Sequence, residues 1–135
     1  MKKRTDGFTV IELIFIVILL ATAGVLFFIQ KNSIEISAQD NIRKTAINAM
    51  YYSLEEVFYP TNQYYPQSIS SDNLTSVDPT LFTDPNGIKL GKAGSEYTYS
   101  PTDCDNGKCK SYTLKSTLSN EADYIKKNRD NQKNW

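Results

Sequence analysis

Apolar positions are unevenly distributed along the chain. Phe8 to Ile29 is a nearly unbroken apolar run of about 22 residues, and Glu12 is its one charged side chain. At 1.5 Å per residue this run predicts roughly 33 Å of helix, enough to cross the hydrocarbon core of a bilayer. Lys2, Lys3 and Arg4 precede it and would hold that end on the cytoplasmic side. From Gln30 to Tyr59 the run gives way to a stripe. Ile42, Ala46, Ala49, Met50, Leu54, Val57 and Phe58 recur at three- and four-residue steps, without Gly or Pro. That is the period of an amphipathic helix with one face toward a core. One helix is therefore expected from Phe8 to Phe58, roughly 75 Å long. Asn32-Ser33 is its weak point, and Pro60 should end it after Tyr59.

Beyond Pro60 the pattern shortens. Residues 60–95 are punctuated by Pro, Asn, Asp and Ser around small apolar pieces such as Leu74, Val77 and Leu81-Phe82, which predicts a loop-rich connection. The sharpest local signal is Asn106-Gly107 between alternating stretches, the preferred two-residue type I′ hairpin turn. With that turn as origin, Asp105 pairs with Lys108, Cys104 with Cys109, Pro101 with Tyr112 and Tyr99 with Leu114. Tyr97, Tyr99, Tyr112 and Leu114 then share a core face, and both cysteines lie on the outward face. Cys104 and Cys109 occupy a non-hydrogen-bonded site, where Cα atoms approach to about 4.5 Å. Pro101 suggests an edge strand or a bulge. A third strand is expected within Tyr112–Leu118 or near Tyr124-Ile125.

Composition narrows the chemistry. The 135 residues carry 15 Lys+Arg against 15 Asp+Glu and no histidine. This length allows one small domain. Without histidine there is no His-based triad, His-ligated metal or imidazole switch. Zero net charge argues against a general nucleic-acid binder. No phosphate loop or nucleophile–base pair can be assembled, so an enzyme is not expected, nor a cofactor. Glu55-Glu56 read as a solvated helix face. Asp78, Asp84 and Asn86 could be drawn as a calcium cluster, but further acids at fixed spacing are missing, and solvated turns are the expectation. For the two cysteines the alternatives are a disulfide, free thiols or a C-x₄-C metal half-site. An exported domain favours the disulfide, and zinc would need two more ligands that the chain does not supply. The tail, with Lys126, Lys127, Arg129, Lys133 and Trp135, could touch DNA, an anionic surface or lipid headgroups; a solvated terminus is the plainer reading.

Glu12 is the residue that discriminates among readings of the N-terminal block. A plain signal anchor, or a signal peptide cut after Ala21-Thr22-Ala23, has no use for a carboxylate that costs about 2.5–3.5 kcal/mol on insertion scales. Were the chain cut between Gly7 and Phe8, a new α-amine would lie about one helical turn from Glu12. The two could then neutralise each other, within one subunit or between staggered neighbours.

Gly7-Phe8-Thr9-Val10-Ile11-Glu12-Leu13, behind a basic leader and ahead of an apolar helix, resembles the type IV pilin signature. The resemblance covers about the first 30 residues. It implies an α+β fold, with a long N-terminal helix packed on a small antiparallel sheet. The organisation expected is leader 1–7, transmembrane and assembly helix 8–29, amphipathic continuation 30–59 and head 60–135. It further implies cleavage by a prepilin peptidase after Gly7, N-methylation of Phe8, and pairing of Glu12 with a neighbour's N-terminus in a homopolymeric filament. Extraction from the inner or cytoplasmic membrane would be driven by a platform protein and a cytoplasmic ATPase. The functions implied are adhesion, twitching motility or DNA uptake by an extracellular filament. The alternatives are a minor pilin, a type II secretion pseudopilin, or a monomeric membrane-anchored binding domain. Many pilins carry a helix-bending Pro where this chain has Ile29, so local melting would have to rely on Gly24 and Thr22.

Overall fold

The computed structural model describes residues 7–129. The chain divides into two compact units between Glu35 and Ile36. The architecture is α+β: one long apolar N-terminal helix and a four-stranded antiparallel sheet.

In the first unit, helix α1 (Val10–Tyr52) opens. Its apolar side chains from Ile11 to Ile29 are exposed, including Phe15, Leu20 and Phe28. The helix is long and apolar enough to cross a membrane by length and composition, with none of its most apolar window buried within the chain. At about 1.5–3 kcal/mol per large apolar side chain, leaving this surface in water would cost tens of kcal/mol. Asn32-Ser33 do not interrupt α1.

In the second unit, the later part of α1 supplies one side of the core. Ala46, Ile47, Met50 and Leu54 are fully buried, and they cluster with Tyr97, Tyr112 and Leu114. Two members of the expected stripe, Ile42 and Val57, are instead about half exposed. The buried face is centred further round the helix and takes in Asp40 and Arg43, which hydropathy alone places in solvent.

The helix does not stop at Pro60. Ser53–Phe58 forms a π-helical turn in which the Tyr59 N–H reaches Leu54 O, and α2 (Tyr59–Asn62) follows, capped by Gln63 in the left-handed region. Proline lacks an N–H and crowds the carbonyl four residues back. A widened turn just before it lets the helical path continue. The same π turn buries Ser53, Leu54 and Glu55 consecutively, so Glu55 is no solvated neighbour of Glu56 but a core residue.

The sheet comprises β1 (Tyr65–Pro66), β2 (Tyr97–Asp105), β3 (Lys108–Ser116) and β4 (Tyr124–Lys127). Strand β3 is central. Strand β2 lies along one of its edges, and β1 and β4 divide the other. The hairpin register is the one the turn predicts: Asp105↔Lys108, Cys104↔Cys109, Pro101↔Tyr112, Tyr99↔Leu114. Asn106 and Gly107 both have positive φ, as a type I′ turn requires. Of the two positions expected for a further strand, the one near Tyr124-Ile125 is β4, whereas Tyr112–Ser116 belongs to hairpin strand β3; β1 was not expected. Between β1 and β4, buried Asn128 accepts from the Tyr112 N–H through Oδ1.

Cys104 and Cys109 form a disulfide, with Cα atoms 3.9 Å apart. They are not both outward. Cys104 is exposed but Cys109 is 1% exposed and joins the core. Asp103, at φ +54°, breaks the strict alternation of the ladder, and Tyr65 of β1 covers β3 opposite Cys109. Closing so short a loop contributes about 2 kcal/mol in the chain-entropy model. Reduction should therefore lower head stability by about 2 kcal/mol without unfolding it. Chemical denaturation with and without reductant measures this, and collapse of the sheet on reduction would contradict it.

Among the described residues one buried hydroxyl has no hydrogen-bond partner, that of Tyr97, which is 2% exposed. Burial and the Asp84 carboxylate push it up to about 12. A buried hydroxyl without a partner costs about 1–3 kcal/mol, so Tyr97→Phe should be neutral or stabilising by up to about 1 kcal/mol. Denaturation midpoints of the two proteins decide it.

Candidate functional site: the head of the apolar helix

The residues that open α1 form a capping box. Thr9 precedes the first helical residue. Glu12 N donates to Thr9 Oγ1 at 3.3 Å, and Thr9 N donates to Glu12 Oε2 at 3.4 Å. Leu13 N closes the first turn on Thr9 O at 3.1 Å. This is the Thr-x-x-Glu pattern, in which two of the orphan N–H groups of a helix start are satisfied reciprocally. The signal was present in the sequence as Thr9-Val10-Ile11-Glu12, but reading Glu12 only against its apolar surroundings misses it. The carboxylate is held at the helix N-terminus, where the macrodipole favours negative charge. Its Oε1 has no hydrogen-bond partner among the described residues.

Phe8 is 74% exposed just ahead of the box. Gly7 has no atom within 4 Å of where a Cβ would lie and no positive φ. Among the described residues, nothing therefore requires glycine there. The same holds for Gly24, inside the apolar helix, where glycine costs about 1 kcal/mol relative to alanine. Beside it Thr22 Oγ1 donates back to Leu19 O at 2.9 Å, a bond that favours helix bending. Residues 1–6 of the expected leader 1–7 lie outside the described residues.

The other candidate residues are brought into structural work. Asp84, 4% exposed, accepts from the N–H groups of Asn86 and Ile88 through Oδ1 and of Glu96 through Oδ2. Asp78 caps the 3₁₀ turn Pro79–Phe82 through Thr80. The hydroxyl and N–H of Thr80 hold its carboxyl below the usual range. Asp78, Asp84 and Asn86 are thus turn organisers, and among the described residues no group of three or more His, Cys, Asp or Glu could hold a metal ion.

The basic tail begins inside the fold. Lys126 lies over the rings of Tyr51 and Tyr124. Arg129 pairs with Glu56 and lies 3.9 Å from Glu55 Oε2. Tyr124 donates to Asn48 Oδ1 at 3.0 Å. Lys127 is exposed; Lys133 and Trp135 lie outside the described residues.

Sequence reasoning missed two buried clusters. Glu55 accepts from the hydroxyls of Tyr112 at 2.8 Å and Tyr65 at 3.1 Å. Asp40, Arg43 and Glu96 form a chain of ion pairs at 2.8 and 2.5 Å. Nothing in hydropathy marks a charge as buried. For Glu55 the available signal was the density of tyrosine around a helical acid.

No family model matches this chain, and no curated protein or solved structure matches it either.

Proposed function

We propose that this chain is a structural subunit of a type IV pilus-like filament, matured by a prepilin peptidase and polymerised through its N-terminal helix. The observation that carries the reading is Gly7-Phe8-Thr9-x-x-Glu12 at the mouth of an apolar helix whose side chains are uncovered. Among the described residues nothing crowds a side chain at Gly7, which fits recognition by a protease that cuts after it. The exposed Phe8 would then present an α-amine for methylation and for pairing. The capping box keeps one oxygen of Glu12 open to accept such an amine from a neighbouring copy. In lipid the apolar helix is covered by acyl chains; in a filament, by the helices of other copies. Moving it between the two requires external work, which implies a platform protein and a cytoplasmic ATPase as partners. The α+β layout and the disulfide of the head fit a pilin-like fold, exposed outside the cell for adhesion, twitching motility or DNA uptake.

Capping and assembly make different demands on Glu12, and this gives the test. Gln can complete a capping box but carries no charge. Glu12→Gln and Glu12→Ala should both insert in the membrane, and both should lower filament yield about tenfold or more, since removing one partner of a buried ion pair costs about 3–5 kcal/mol. Normal filaments from Glu12→Gln would reduce Glu12 to a cap and remove the assembly role. N-terminal sequencing of the mature chain should return methylated Phe8. A start at Met1 would instead point to a monomeric membrane-anchored domain, and a start at Gly24 to a secreted one.

A further inference from the structure

The chain contains two Asn-Gly steps, Asn86-Gly87 and Asn106-Gly107, and the fold treats them differently. Both asparagines are exposed, and both glycines have positive φ, +83° and +79°. At the first step, Gly87 N donates to Asp84 O at 2.9 Å, and Asn86 N donates to Asp84 Oδ1 at 3.0 Å. Asp84 is itself buried and anchored to Ile88 N and Glu96 N. The glycine nitrogen is thus masked and its turn is clamped. At the second step, the exposed tip Asp105–Lys108 carries Gly107, whose N–H donates to no group among the described residues.

From this difference we propose that Asn106 is a self-modification site, at which the head spontaneously deamidates through a cyclic imide, while Asn86 is protected. Gly107 N gives its proton to a solvent base and attacks Asn106 Cγ. The N–Cγ bond forms, the Cγ–Nδ2 bond breaks, and ammonia leaves. Water then opens the five-membered ring. Attack at the side-chain carbonyl yields aspartate, and attack at the main-chain carbonyl yields isoaspartate, in which the chain runs through Cγ. No oxidant or reductant takes part, and glycine favours the step because it has no side chain to hinder the attack.

The product matters because of where it forms. The pairings Asp105↔Lys108 and Cys104↔Cys109 rest on a turn of two ordinary residues. Isoaspartate lengthens the turn by one backbone atom, and either product adds a negative charge beside Asp105. The hairpin tip therefore acquires an age-dependent change while the disulfide keeps its strands joined. This inference is independent of the filament reading.

The test is peptide mapping by mass spectrometry of the full-length chain in detergent, incubated at mildly alkaline pH, with a denatured sample in parallel. Ammonia loss followed by water uptake is read at each asparagine, and isoaspartate is resolved by its shifted elution. Asn106 should convert about tenfold faster than Asn86 in the folded chain, the factor that one net hydrogen bond on the nucleophile corresponds to. In the denatured chain the two rates should converge. An intact Asn106 in the folded chain, equal rates at both sites, or a difference that survives denaturation would each overturn the proposal.

Discussion

Glu55→Ala is expected to destabilise the head by about 3–5 kcal/mol. Glu55 sits in the π-helical turn with its side chain 3% exposed. It accepts hydrogen bonds from the Tyr65 and Tyr112 hydroxyls, both of which belong to residues 1% exposed. Truncation removes the acceptor from two buried hydroxyls, at about 1–3 kcal/mol each, and opens a cavity as well. The aromatic assembly around it transmits the loss. Tyr65 meets Tyr112 edge-on at 4.7 Å and stacks on Tyr59 at 4.8 Å, and Tyr112 packs on Tyr99 at 5.5 Å. Burial, together with the adjacent Glu55 charge, pushes the Tyr112 hydroxyl far up, so it remains a donor at any ordinary pH. A double-mutant cycle isolates the effect. Tyr112→Phe alone should cost about 1–2 kcal/mol, and in the Glu55→Ala background it should cost almost nothing, because the hydroxyl it removes has already lost its acceptor. Glu55→Gln, which can still accept one bond, should lie between wild type and Glu55→Ala. Strictly additive losses in chemical denaturation would show that the tyrosine hydroxyls do not depend on Glu55.

This cluster also marks the boundary of what the sequence discloses. The hairpin was legible to the residue because one dipeptide, Asn106-Gly107, fixes a turn type and hence every pairing up the ladder. The apolar helix was legible because its signal is compositional and long. The run past Pro60 was not, since the proline rule assumes a regular α-helix and the π turn Ser53–Phe58 suspends that assumption. Buried charge was illegible for a related reason. Glu55, Asp40 and Arg43 read as solvent-facing wherever polarity stands in for exposure, and only three-dimensional neighbours reveal that their hydrogen bonds are made internally. At the candidate site the identity of each residue was legible, but the Thr9–Glu12 cap was overlooked because the membrane reading already gave Glu12 a purpose.

Asp40→Ala should cost about 3–5 kcal/mol, through a different kind of cluster. Asp40 and Arg43 are each 2% exposed. Asp40 Oδ1 accepts from Arg43 Nη1 at 2.8 Å and from Ser119 N at 2.9 Å, and Oδ2 accepts from Asn120 N at 3.1 Å. Arg43 Nε donates to Glu96 Oε2 at 2.5 Å. One helical carboxylate thereby ties the loop after β3 to the helix. Its loss leaves two amides short of an acceptor and a buried guanidinium with one anion instead of two. The Ser119 N–H holds the Asp40 carboxyl below the usual range; burial opposes this, and the Asn120 N–H and Arg43 reinforce it. The folded-state pKa is therefore depressed relative to the unfolded chain. The contribution of Asp40 is present in full above the unfolded value of 3.8 and is lost as pH falls through the lower folded value. Asp40→Asn should be less stable than wild type at neutral pH. The gap between the two should narrow below about pH 4, with a limiting slope of about 1.4 kcal/mol per pH unit for the one proton. Other carboxylates titrate in the same window, but they are common to both proteins and cancel in the difference. Paired denaturation curves from neutral pH to about pH 2 measure it. A gap that stayed constant on acidification would mean that Asp40 acts by shape rather than charge, and would separate this cluster from the ionic role its geometry assigns.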